Sequence, residues 1–210
     1  KNHKVNTDYV MTMPGGMGTW LAVFDHNGDL AGSISQRPNL MPILGLLEEK
    51  GDEIFANADS VIVEVDMDKD IIKKVVALAK QYNKKLYGVV SNMSIAVDYA
   101  DKSPEELRDI LSKRVILGKI PAMIVTMGGN GAVYADVNGE KGICPPQRVR
   151  VKDTTGAGDA FCAGVASGLT YGKKLSEAVE IGSRLAASVI TSSENVCPRF
   201  LPEEFGITLD

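Results

Sequence analysis

From Ser60 onward the chain alternates short apolar runs with amphipathic stretches of helical length, and this alternation narrows the fold more than any other feature. Ser60–Val65 (SVIVEV) is almost continuously apolar, the pattern of a strand covered on both faces. Ile71, Ile72, Val75, Val76, Leu78, Ala79 and Tyr82 then recur at helical spacing, with lysines on the other side. Leu86–Val90 reads as the next strand. Ser103-Pro104-Glu105-Glu106 opens a helix, with a hydroxyl cap, a proline in the first turn and a glutamate three residues after the cap. Ile120–Thr126 predicts another strand, and Ala132–Val137 and Ile143 flank Asn138-Gly139 as a hairpin. In the last third, Phe161, Val165 and Leu169 share one helix face. Leu175, Ala178, Val179, Gly182, Leu185, Ala186, Val189 and Ile190 form the stripe of a second helix. Strands separated by helices imply an α/β layer of mostly parallel strands joined by right-handed crossovers.

The opening of the chain follows a different grammar. Trp20–Asp25 and Leu30–Ser35 read as two strands around the turn His26-Asn27-Gly28-Asp29, an antiparallel hairpin set apart as a flap or edge. Residues 36–57 are ambiguous: Pro38 and Pro42 break the first half, while Leu46, Leu47 and the acids after them fit a short helix. The expected organisation is therefore a β lid with the start of the core over residues 1–36 and an α/β core over residues 37–210.

Composition sets limits on partners. The net charge is −4 with no basic stripe, which argues against nucleic acid and anionic membranes and leaves small molecules or proteins. Cys144, Cys162 and Cys197 are an odd count at wide spacing, unlike a disulfide framework or a zinc site. His3 and His26 are the only histidines, so a histidine-rich metal cluster is not expected. The longest apolar runs are strand-sized and no signal peptide is seen, which makes the cytoplasm the expected compartment.

Chemistry concentrates in Val151–Gly168, VKDTTGAGDAFCAGVASG. Gly156, Ala157 and Gly158 can bring backbone N–H groups together without side chains in the way. They precede a helix, whose unsatisfied amides and dipole attract negative charge. Charge developing on a transferring phosphoryl group needs that stabilisation. Asp159 stands beside such an anion pocket, placed to take the proton of an attacking hydroxyl. An aspartate at a helix start is commonly a cap and a Gly-x-Gly segment commonly a turn. The whole octet Asp153-Thr154-Thr155-Gly156-Ala157-Gly158-Asp159-Ala160 is far more specific than either.

This octet resembles the second signature of the ribokinase (PfkB) family of carbohydrate and nucleoside kinases, with an almost complete match. The resemblance implies a three-layer α/β/α fold with a mostly parallel central sheet and a small β lid. It also implies ATP and Mg²⁺, with a monovalent cation such as K⁺ beside the anion hole. Asp159 would be the catalytic base, and Gly156, Ala157 and Gly158 the anion hole. Asp153 and Thr155 match positions that in the family often hold the monovalent cation, with Val189 and Ser192 near its carbonyl ligands. Thr126-Met127-Gly128-Gly129-Asn130-Gly131 looks like the family's ATP-contacting loop, although such a segment is often a plain turn. Ser183 falls where the family has a nucleotide-contacting residue. Glu64 in VIVEVDMD resembles a strand-end glutamate that contacts the sugar, or is a carboxylate at a strand mouth with no such duty. TWLAVFDHNGDL resembles the flap of pseudouridine-kinase-like members.

Three further sequence features bear on this reading. Asp66, Asp68 and Asp70 suggest a calcium ladder, but the glycine and terminal glutamate of an EF-hand loop are missing, and helix capping is the better reading. Gly168…Gly172-Lys173-Lys174 lacks Walker spacing, and Gly129-x-Gly131 lacks the third glycine of a dinucleotide fingerprint. The family's opening Gly-Gly-x-x-x-Asn segment has no match, because Gly15-Gly16 precedes a strand. Its Asn-x-x-Glu motif, due between Val90 and Ser103, has none either. N-terminal and internal segments of the family domain are therefore expected to be missing from the sequence.

Two functions follow. One is an ATP-dependent kinase acting on a hydroxyl, expected to be primary, of a sugar or nucleoside. The other is a catalytically degenerate nucleotide-binding or assembly protein of the same fold. The hairpin is expected either to close as a lid or to pair with a second copy in a homodimer.

Overall fold

A computed structural model of the chain describes residues 5–14, 17–26, 30–90, 101–192, 196–198 and 200–208. The chain divides into two compact units, Lys1–Ser91 and Asn92–Asp210.

In the first unit, β1 (Thr19–Phe24) and β2 (Leu30–Gln36) pair antiparallel, with Thr19 opposite Gln36 and Leu21 opposite Ile34. This is the expected hairpin; Asn27, Gly28 and Asp29 of its turn lie outside the described residues, as do His3, Gly15 and Gly16. Its apolar side chains stay exposed, including Trp20, Leu21, Val23 and Ile34.

Where a short helix was expected, α1 runs over Pro42–Asn57. Proline in its first turn is pre-set for helical φ. Leu47 and Phe55 bury themselves in one core with residues of α2 (Lys69–Gln81), namely Ile71, Val75 and Leu78. Gly51 is disfavoured in a helix but lets Leu78 approach, since a Cβ there would lie 2.6 Å from Leu78 Cδ1. Tertiary packing thus overrides the local glycine signal.

β3 (Ser60–Glu64), α2 and β4 (Lys85–Val89) form a parallel strand–helix–strand unit, with Ser60 opposite Lys85 and Glu64 opposite Val89. Val63 is 7% exposed and Ile62 51%, so β3 is covered on one face rather than both.

In the second unit, α3 (Pro104–Gly118) begins with the expected capping box. The Ser103 hydroxyl accepts from the Glu106 N–H at 3.2 Å, and the Glu106 carboxylate accepts from the Ser103 N–H at 2.9 Å. Leu107, Leu111 and Val115, spaced one turn apart, pack with Val133 and Ala135. β5 (Ala122–Thr126), β6 (Ala132–Asp136) and β7 (Lys141–Cys144) form an antiparallel sheet in chain order. Asp136 Oδ1 fixes the β6–β7 turn by accepting from the N–H groups of Asn138 and Glu140, at 2.9 and 2.8 Å. These connections are too short for a parallel crossover. Of the mostly parallel central sheet expected, β3–β4 is the parallel pair among the described residues.

α4 (Ala157–Thr170) and α5 (Leu175–Ile190) pack backbone to backbone. A Cβ on Gly164 would lie 2.7 Å from Gly182 Cα, and one on Gly182 would lie 2.7 Å from the Phe161 carbonyl oxygen. At the start of α5, Glu140 accepts from the N–H groups of Ser176 and Leu175, at 2.9 and 3.3 Å, joining the β6–β7 turn to the helix. Among the described residues, no helix is long and apolar enough to cross a membrane.

Candidate functional site

The helix start that carries the octet has an unusual cap. Gly156 occupies the N-cap of α4 at φ +83°, a left-handed conformation that suits glycine, and no side chain caps the helix. The Ala157 N–H donates to the Thr154 carbonyl at 3.2 Å, which closes the turn, and the Ala160 N–H donates to the Gly156 carbonyl at 3.0 Å. Between them, the amides of Gly158 and Asp159 meet no acceptor among the described residues. A Cβ on Gly158 would meet nothing within 4 Å. The helix thus opens with unsatisfied donors beside empty space, a geometry that suits an anion. Asp159 lies in the first turn of α4 with its side chain exposed.

Upstream, Asp153 Oδ1 accepts from the Thr155 N–H at 2.8 Å. That bond, aided by the Thr155 hydroxyl, holds the Asp153 carboxyl below the usual range. One residue earlier, the Lys152 N–H donates to the Ile190 carbonyl at 2.7 Å. The segment leading into the octet is therefore joined to the end of α5, where buried Val189 accepts from the Ser192 N–H at 2.9 Å. Asp153, Thr155, Val189 and Ser192 sit on the two segments linked by this bond.

The Thr126–Gly131 loop leaves β5 as a single 3₁₀ turn over Gly128–Asn130. The Met127 N–H donates to the Gly131 carbonyl at 2.8 Å, and Met127 packs against the α3 core cluster. Thr126, Gly128 and Gly129 are exposed, and added Cβ atoms at the two glycines would meet nothing within 4 Å. Gly131, in contrast, is tight against the Cys144 carbonyl. The Cys144 thiol lies beside the Ser183 side chain and donates to the Pro145 carbonyl at 3.7 Å. Burial pushes this thiol up, and the Ser183 side chain acts in the opposite direction. Cys144 therefore connects the loop to Ser183, which sequence reasoning missed. The hairpin about Asn138-Gly139 held the signal, because its register pairs Cys144 with Ala132, the neighbour of Gly131.

Glu64 belongs to the first unit, at the end of β3. Its Oε1 accepts from the Asp66 N–H at 3.3 Å. Asp66 in turn holds Arg37: Nη1 donates to the Asp66 carbonyl at 2.9 Å and Nη2 to Oδ2 at 2.8 Å. Asp70 pairs with Lys73 at 3.2 Å, and Asp68 occupies the N-cap of α2 without a side-chain capping bond. The three aspartates thus have separate surroundings, and capping holds for the position of Asp68 only. No group of three His, Cys, Asp or Glu suited to a metal occurs among the described residues. Residues 91–100, most of the stretch where Asn-x-x-Glu was sought, lie outside the described residues.

Comparison with known proteins adds identity to this geometry. The family described as pfkB family carbohydrate kinase matches residues 90–197. The chain is 33% identical over 223 residues to guanosine-inosine kinase of Exiguobacterium acetylicum, covering 93% of this chain and 72% of that protein. A shorter stretch of 69 residues is 35% identical to pseudouridine kinase of Escherichia coli, covering 33% of this chain and 22% of that enzyme. Among solved structures, ribokinase of Thermotoga maritima superposes with a TM-score of 0.66 at 20% identity, covering 90% of this chain and 69% of that one.

Proposed function

The chain belongs to the pfkB family of carbohydrate kinases, and from that premise we propose that it transfers the γ-phosphoryl group of ATP to a primary hydroxyl of a purine nucleoside. The observation that carries the reading is the start of α4, where amides without acceptors among the described residues adjoin an exposed carboxylate, Asp159. Asp159 takes the proton of the acceptor hydroxyl as its oxygen forms a bond to the γ-phosphorus and the bond to the ADP oxygen breaks. The α4 amides hold the charge that spreads over the phosphoryl oxygens. Thr126, Gly128, Gly129, Gly131 and Ser183 contact ATP, and Glu64 contacts the acceptor. Magnesium bound with the nucleotide would supply charge neutralisation.

Asp153 and Thr155 offer the hard oxygen donors that an alkali cation takes, so they are the proposed K⁺ ligands together with carbonyls near Val189 and Ser192. A nucleoside acceptor is supported by the guanosine-inosine kinase match, which runs along most of the chain, whereas the pseudouridine kinase match is short. The exposed apolar side chains of the β1–β2 hairpin fit a lid that closes on the acceptor or pairs with a second copy in a homodimer. A clean monomer by light scattering would remove the pairing version.

The test is ADP release with ATP and a panel of guanosine, inosine, adenosine, pseudouridine, ribose and fructose. Turnover is expected with the purine nucleosides and depends on Asp159. ATP binding without turnover on any acceptor would instead identify a non-catalytic nucleotide-binding chain.

A further inference from the structure

The base of the hairpin and the loop after β3 meet at one side chain. Arg37 directly follows β2, and Pro38 closes against the other end of the hairpin: a Cβ on Gly18 would lie 2.8 Å from Pro38 Cδ and 3.1 Å from the Gln36 carbonyl oxygen. From this position the Arg37 guanidinium spans two acceptors of a single residue, the Asp66 carbonyl at 2.9 Å and Oδ2 at 2.8 Å. The same residue, Asp66, donates its N–H to Glu64 Oε1 at 3.3 Å. Arg37, Asp66 and the Glu64 carboxylate therefore form one chain of hydrogen bonds, and Arg37 is covalently next to the last residue of the hairpin.

Exposure decides what such a chain can do. The Arg37 side chain is 62% exposed and that of Asp66 29%, so water screens the pair and its contribution to stability is small. Geometry is where it acts, because a planar guanidinium that reaches two oxygens of one residue fixes the orientation of that residue. Asp66, held through its carbonyl and carboxylate oxygens, carries in the preceding Val65–Asp66 peptide group the N–H that Glu64 accepts.

We propose that Arg37 is a positioning residue for the acceptor, one that sets the orientation of Glu64 and the placement of the β1–β2 hairpin together. The proposal deepens the kinase reading and rests on it, since Glu64 is the acceptor contact. A hairpin that shifts on acceptor binding transmits the shift through Arg37 to Glu64, and a correctly held Glu64 favours one hairpin placement.

The experiment uses Trp20, the single tryptophan of the chain, which lies on β1 and is exposed. Its fluorescence is titrated with inosine or guanosine in the absence of ATP, and kinetics are measured on the same preparations. For the wild type, a saturable change in Trp20 emission is expected. Arg37→Ala is expected to raise KM for the nucleoside about 10-fold while leaving KM for ATP at its wild-type value, and to move the Trp20 titration to higher nucleoside concentration by a similar factor. Arg37→Lys restores less than half of this loss, because one ammonium cannot reproduce the two-oxygen contact. Asp66→Ala combined with Arg37→Ala is no worse than Arg37→Ala alone, as expected for two members of one chain. An active Arg37→Ala enzyme with unchanged nucleoside KM and an unchanged Trp20 titration overturns the positioning role and leaves the kinase reading intact. A folded wild type that phosphorylates none of the acceptors overturns the kinase reading, and the positioning role falls with it.

Discussion

The Lys152 N–H donates to the Ile190 carbonyl at 2.7 Å, and this bond ties the segment entering the Asp153–Ala160 octet to the end of α5. It joins the two stretches that carry the proposed cation ligands, Asp153 and Thr155 on one side and Val189 and Ser192 on the other. The expected consequence is turnover that rises several-fold when choline is replaced by K⁺ at constant ionic strength. Asp153→Ala should lose most of that stimulation, because it removes both an oxygen donor and the acceptor for the Thr155 N–H. Equal rates in K⁺ and choline would remove the cation from the site.

Asp159→Asn separates chemistry from binding. The amide keeps the size of the side chain but cannot take the acceptor proton, so kcat should fall by about 10²–10⁴-fold. Binding of ATP, followed by calorimetry, should stay within a factor of about 3, since a loss of 1.4 kcal/mol already costs tenfold. A variant that retains wild-type kcat would leave Asp159 without a role as base.

How far the chain could be read in advance depended on the range of each interaction. The capping box of Ser103 and Glu106, the α2 stripe from Ile71 to Ala79 and the Asn138-Gly139 turn are local, and each was legible from residue types at fixed spacing. The octet was legible for the same reason, because its turn and helix start are contiguous. α1 was seen only in part, since Pro38 and Pro42 read as breaks in the first half of residues 36–57, whereas Pro42 stands in the first turn of the helix, and Leu47 and Phe55 are buried against α2. The link from Cys144 to Ser183, the clasp of Arg37 on Asp66 and the bond of Glu140 to Ser176 join residues far apart in sequence. No local pattern encodes them. The mostly parallel sheet was over-extended from the β3–α2–β4 unit to β5, whose short connection to β6 permits only antiparallel pairing, while the β6–β7 hairpin was expected.

Gly182→Ala tests the α4–α5 contact. The new methyl would lie 2.7 Å from the Phe161 carbonyl oxygen and 2.9 Å from Val165 Cγ2, so the helices must separate. A loss of about 1–3 kcal/mol is expected for such overpacking, read as a lower urea midpoint with an unchanged slope. Unchanged stability would mean that the two helices do not pack this closely.

Glu140 links acid stability to the orientation of α5. The Ser176 hydroxyl beside its carboxylate, together with the N–H groups of Ser176 and Leu175 that donate to it, holds this carboxyl below the ordinary glutamate value. A carboxyl lowered by folding adds stability that is fully present above its unfolded value, and that is lost as the pH falls through the folded one. Glu140→Gln keeps an oxygen acceptor but removes the charge that favours a helix N-terminus. At pH 7 the variant should be less stable by about 0.5–2 kcal/mol, the range for losing a helix cap. The gap between variant and wild type should stay constant from pH 7 down to about 5.5, about one unit above the unfolded value of a glutamate, and close as the pH drops further. Urea midpoints measured across that range decide the matter. A gap that persists unchanged at pH 3 would show that the carboxylate charge contributes nothing at the α5 terminus, and that Glu140 acts there through shape alone.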